Sequence, residues 1–107
     1  MTRFCLRLAL ATFTTLLVAC SSAQFAASRV DQVYASRTPP EAIELFRSSQ
    51  PAKHFIEIGA VSACCSSDAN RMIEMLRKKA SENGGDALVG LDLHASGGVT
   101  ATVIRYQ

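Results

Sequence analysis

The sequence predicts a small α+β domain, an antiparallel sheet with one amphipathic helix packed across it. Three observations carry that expectation. Ala69, Met72, Ile73, Leu76 and Ala80 recur at the spacing of a single helical stripe. The segments before and after that stripe are rich in β-branched and aliphatic residues and are bounded by turn residues. Gly84-Gly85 closes the helix, and Gly97-Gly98 lies between the last two strands. The expected order is strand, strand, helix, strand, strand.

The first 19 residues read as a leader. Residues 1–7 are short and basic, with Arg3 and Arg7, and residues 8–18 are apolar but diluted by Thr12, Thr14 and Thr15. A charged start, a short apolar run and small residues at a cleavage site make a secretory signal peptide. The run is too short for a comfortable membrane span, which needs about 20 apolar residues. Leu17-Val18-Ala19 directly before Cys20 resembles the lipobox of bacterial lipoproteins. That resemblance implies a diacylglycerol on the Cys20 sulfur, cleavage before Cys20 and an acyl chain on the new amino terminus. Thiolate sulfur is the best nucleophile in the segment. Several acyl chains together hold a protein stably on a bilayer. Ser21 rather than Asp follows the cysteine, which points to the outer membrane, periplasmic side.

Without its leader the 107-residue chain has 88 residues, enough for one domain with a modest core. Both leader charges are basic, so nine basic and nine acidic residues remain downstream. That balance argues against nucleic acid as a partner. Arg77-Lys78-Lys79 reads as the solvated C-terminal half of a helix, where cations suit the helix dipole. The expected division is therefore signal peptide 1–19, lipidated N-terminus and tether 20–36, and α+β domain 37–107.

Residues 21–36 read as a tether, of which 22–28 are small and polar with weak periodicity, suited to spacing a domain from a membrane. Val30-Asp31-Gln32-Val33-Tyr34 is either a short first strand or the end of that tether. Thr38-Pro39-Pro40 is a break. Ile43 and Leu45 alternate with Glu44, which favours a strand, although Pro40 also suits a helix start. From His54 to Ala63 a clearer strand runs, with Ile56, Ile58 and Ala60 on one face. Gly59 marks a bulge or a close backbone approach. Ser66 or Ser67 is the expected helix cap, and Asn83-Gly84-Gly85 is the stop, with glycine for a left-handed position.

Residues 87–95 and 99–106 form the expected final hairpin. A three-residue loop with Gly98 left-handed pairs Ala95 with Val99, Leu93 with Ala101 and Leu91 with Val103. It gathers these aliphatics and Val89 on one face. Edge strands of such a sheet leave a homo-oligomer open.

Chemistry-bearing residues are few. Cys64-Cys65 sits between a strand and a helix start. The pair could bind a soft metal through thiolates, form a vicinal disulfide with a redox role, bridge to another molecule, or be small buried hydrophobes. Asp92 and His94 share a strand face, so a metal site could draw on His94, Asp92 and a cysteine, Cys64 or Cys65. The usual ligand spacings are missing, and an exposed polar face is the simpler reading. His54 reads as loop. There is no GxSxG, HExxH or P-loop, and the carboxylates are scattered, so no catalytic residues and no enzyme are expected. No cofactor is expected beyond the lipid on Cys20.

Ile58-Gly59-Ala60-Val61, Met75-Leu76-Arg77-Lys78-Lys79-Ala80 and Asn83-Gly84-Gly85-Asp86-Ala87-Leu88-Val89-Gly90 together resemble a group of small bacterial domains. The group includes the YbjQ-like family, labelled heavy-metal-binding, and short envelope lipoproteins. The lipoprotein sensor of the Rcs envelope-stress phosphorelay is a more distant relative in layout. The resemblance covers residues 57–106 and rests on structural glycines and helix residues, so it implies fold more than activity. The Rcs sensor pattern has spaced disulfide cysteines, whereas this chain has an adjacent pair. Taken together, the expectation is a lipid-anchored binding or sensing module of the envelope that works through contacts with envelope proteins. Soft-metal binding or thiol redox sensing at Cys64-Cys65 is the alternative.

Overall fold

A computed structural model describes residues 22–29 and 31–107. The leader, Cys20, Ser21 and Val30 lie outside the described residues. The fold is α+β. Strand β1 (Ser22–Ala27) is followed by a 3₁₀ turn (Pro40–Ala42), then β2 (Glu44–Phe46) and β3 (Phe55–Cys64). Helix α1 (Ala69–Glu82), β4 (Ala87–Leu93) and β5 (Val99–Tyr106) complete it. The five strands form one sheet in the order β1-β3-β5-β4-β2.

Two features depart from the expected sheet. The segment read as tether contains β1, an edge strand antiparallel to β3 with Ser22 opposite Cys64 and Ala27 opposite Gly59. Its alternation is weak because it is built of small residues, yet Ala23 and Phe25 turn toward the core. Phe25 is admitted by Gly59, where a Cβ would come within 2.5 Å of the Phe25 ring. β3 also bulges between Glu57 and Gly59, so both readings of that glycine hold. Asp31 to Tyr34 is not a strand. The second departure is β2, which pairs parallel to β4, so the sheet is mixed rather than antiparallel.

Helix α1 buries Met72, Ile73, Leu76 and Ala80 against the sheet, while Ala69 at its start is exposed. Below it lie Ile43, Ile58, Val61, Ala63, Leu88, Val99, Ala101 and Val103, all buried. A smaller apolar cluster of Ala87, Val89 and Ile104 forms on the other face, with Phe46, Phe55 and Tyr106 packed on it. The helix cap is Asp68, not Ser66 or Ser67. Its carboxylate accepts from the Asn70 N–H at 3.0 Å, while Ser66 Oγ accepts from the Asp68 N–H. At the other end Gly84 adopts φ +86°, with Gly85 N–H to Ala80 O at 2.8 Å and Gly84 N–H to Ser81 O at 3.2 Å. This is the double-bonded glycine stop expected of Asn83-Gly84-Gly85.

The hairpin keeps a three-residue loop but slides it by one residue. Gly97, at φ +94°, is the left-handed residue, and the His94 N–H donates to Gly98 O. Leu93 therefore faces Val99, not Ala101. A second glycine then breaks the pattern. Gly90 sits at φ +64°, and Gly90 and Leu91 together oppose Ala101 between the Val89–Thr102 and Asp92–Thr100 pairs. One extra residue reverses the sidedness of everything before it. Leu88 takes the core face, Val89 the other, and Leu93 is left half-exposed.

Candidate functional site

The strand directions collect one end of the molecule. β1 starts there, β3 and β4 finish there, and β5 and α1 begin there. It carries Ser22, the Cys64–Asp68 turn and the hairpin loop around His94. At this end Cys64 and Cys65 are joined as a disulfide, with their Cα atoms 3.7 Å apart. Cys65 is exposed and adopts φ +76°, a left-handed backbone that is uncommon for a residue with a Cβ. Because β3 ends on the non-core face after Ala63, Cys64 borders a shallow depression of about 260 Å³ on the open side of the sheet. Gln24, Ser62, His94 and Thr100 also line it.

His94 Nε2 lies 3.0 Å from Thr100 Oγ1, and its Nδ1 is 3.9 Å from an Asp92 oxygen. Both side chains are solvent-exposed. The sequence thus placed Asp92 and His94 correctly on one polar face, and the fold brings His94 to the same depression as Cys64. It does not assemble a ligand cage. Among the described residues no group of three or more His, Cys, Asp and Glu could hold a metal ion. Bonded to each other, the two sulfurs offer no thiolate to a metal or to the nearby helix dipole. His54 lies in the loop before β3, where its carbonyl accepts from the Gln107 N–H.

A second constellation, at the opposite end, escaped the sequence reading. Asp86 enters β4 directly after the glycine stop and is 5% exposed. Arg37 grips both of its oxygens, through Nε at 3.1 Å and through an Nη that also reaches the Tyr106 carbonyl. Thr38 Oγ1 donates to Asp86 at 2.6 Å, and the Tyr106 N–H does so at 2.8 Å. Burial pushes the Asp86 carboxyl up, but the bonds from Arg37, Thr38 and Tyr106 outweigh it and hold it at about 2. Ser81 Oγ donates to Thr38 O, and Arg105 donates to Gly84 O while its guanidinium lies over the Tyr34 ring. The chain between β1 and the 3₁₀ turn is thereby tied to the helix end. The signal was an acid opening an otherwise apolar strand, Asp86-Ala87-Leu88-Val89, where a lone carboxylate must find partners. With every oxygen engaged, this constellation is a structural clamp.

No helix among the described residues is long and apolar enough to cross a membrane.

No known protein family matches the chain, and no curated protein does. Among solved structures it is similar to the crystal structure of a Francisella virulence factor, FvfA. The TM-score is 0.52 at 10% identity, over 80% of this chain and 97% of that one. At that identity the likeness is one of fold.

Proposed function

We propose that the chain is a lipid-anchored module on the periplasmic side of a bacterial outer membrane, without catalytic activity, that binds or senses through contacts with other envelope proteins. The observation that carries this reading is Leu17-Val18-Ala19-Cys20 behind a basic and then apolar leader. Mass spectrometry of the mature protein tests it. The expected species begins at Cys20 and carries the diacylglycerol and acyl masses, and Cys20→Ser abolishes both the mass and membrane fractionation. A mature chain beginning elsewhere, or an unmodified Cys20, overturns it.

A second reading has its own support in the joined, partly exposed Cys64 and Cys65. A dithiol donor would supply two electrons and two protons, open the bond to two thiols and itself become a disulfide. Equilibration against a series of dithiol buffers, followed by thiol alkylation and mass readout, tests it. A single two-electron transition within the envelope range supports redox sensing. A bond that stays closed at every potential removes it. Soft-metal binding belongs to the opened form only, and copper(I) or zinc uptake by the reduced protein, compared with Cys64→Ser/Cys65→Ser, decides it.

A further inference from the structure

The register between β1 and β3 determines which end of the domain would meet the lipid. Ser22 is hydrogen-bonded into the sheet opposite Cys64. Only Ser21 separates Cys20 from Ser22, and each residue step spans at most about 3.6 Å of chain. Paired strands add only about 5 Å. A lipid on Cys20 therefore cannot lie far from Cys64, and Ser21 alone between Cys20 and β1 is too short to act as a spacer.

We infer, resting on the lipoprotein reading above, that the end of the sheet carrying Cys64–Cys65 and the 94–98 turn is seated on the bilayer surface that takes the Cys20 acyl chains. The composition of this end agrees. Residues 64–70 and 91–98 contain no Lys or Arg, only Asp68, Asp92 and His94 among ionisable groups, and the one cation beside them is the exposed Arg71 in the first turn of α1, outnumbered by the two carboxylates. Leu93, 50% exposed, is one of two large hydrophobic side chains that stand out among the described residues. The cationic groups Arg37, Lys53 and Arg105 gather instead around Asp86, Tyr106 and Tyr34 at the far end. Seating on lipid then comes from the acyl chains and the short connection, not from charge attraction, which needs basic side chains. The Cys64–Cys65 bond faces the headgroup layer, and the Arg37–Asp86 clamp and Val33, 95% exposed, face away from it.

The chain contains no Trp, so a single introduced Trp reports its own position. Lipidated full-length protein carrying Ser96→Trp in the hairpin loop, or Ala52→Trp near the far end, is inserted into phosphatidylcholine vesicles with a nitroxide on the headgroup. Ser67→Trp, in the turn before α1, is a second probe of the near end should Ser96→Trp fail to fold. Quenching is expected to be several-fold stronger at Ser96 and Ser67 than at Ala52, and the difference is expected to vanish in Cys20→Ser protein mixed with the same vesicles. Co-flotation with vesicles is measured first. Protein that floats but is quenched equally at both ends overturns the seating and leaves the anchor standing. Protein that does not float overturns the anchor, and the seating with it.

Discussion

Asp86 and Arg37 lie 49 positions apart in sequence, yet the buried carboxylate and the half-exposed guanidinium form a two-pronged ion pair. Forked Arg–carboxylate geometry adds direction as well as charge. Here it closes the long connection leaving β1 onto the helix–strand turn.

Removing one partner of that pair leaves the other unsatisfied. Asp86→Ala strands Thr38 Oγ1 and the Tyr106 N–H, and is expected to cost about 3 kcal/mol in denaturant unfolding. Wild-type and variant midpoints that coincide would count against the clamp.

The same carboxyl gives a pH signature. It is held at about 2 in the folded chain against an ordinary 3.8. A depressed acid stabilises the fold fully above its unfolded value, and the benefit disappears as the pH falls through about 2. With Arg37 partly open to solvent, the contribution at neutral pH is about 2 kcal/mol. Stability measured from pH 5 down to pH 2 should fall less steeply in Asp86→Asn than in the wild type, and parallel slopes would reject the assignment.

Two left-handed glycines should respond differently to alanine. At Gly90 a Cβ meets nothing within 4 Å, so Gly90→Ala carries only the backbone cost, about 1 kcal/mol. At Gly84 a Cβ would lie 2.5 Å from Tyr34 Cβ and 2.8 Å from its carbonyl oxygen. Gly84→Ala is expected to be the more damaging by at least about 1 kcal/mol, because backbone must move. Thermal unfolding of the two variants side by side decides this.

Cys65 also occupies a left-handed position. In reducing buffer, Cys65→Gly should be more stable than Cys65→Ser by about 1 kcal/mol, since glycine alone accepts that backbone without a penalty. Equal midpoints would mean that the reduced turn abandons the left-handed conformation.

Leu76 is fully buried between helix and sheet. Leu76→Ala removes three carbons and leaves a gap, at a cost of about 3 kcal/mol. A cost below 1 kcal/mol would show that the helix packs more loosely than the structure describes.

Local pattern determined a good part of this protein. The stripe from Met72 to Ala80 identified α1, because helical periodicity reports which side is buried. Asn83-Gly84-Gly85 identified its end, because only glycine closes that stop without strain. The α+β class, the strands on either side of the helix and the polar face shared by Asp92 and His94 followed from the same short-range rules. Tertiary structure decided what short-range rules do not contain. β1 is a strand because β3 offers it an edge and Gly59 makes room for Phe25. β2 lies parallel to β4 because the chain returns on the far side of the sheet. Gly90 could have been an ordinary strand residue, and its bulge, which gives the core face to Leu88 rather than Val89, is set by pairing with β5. Asp86 became a clamp only when Arg37 and Thr38 arrived from across the fold. Periodicity is a property of neighbours along the chain, whereas pairing, register and buried charge are properties of neighbours in space.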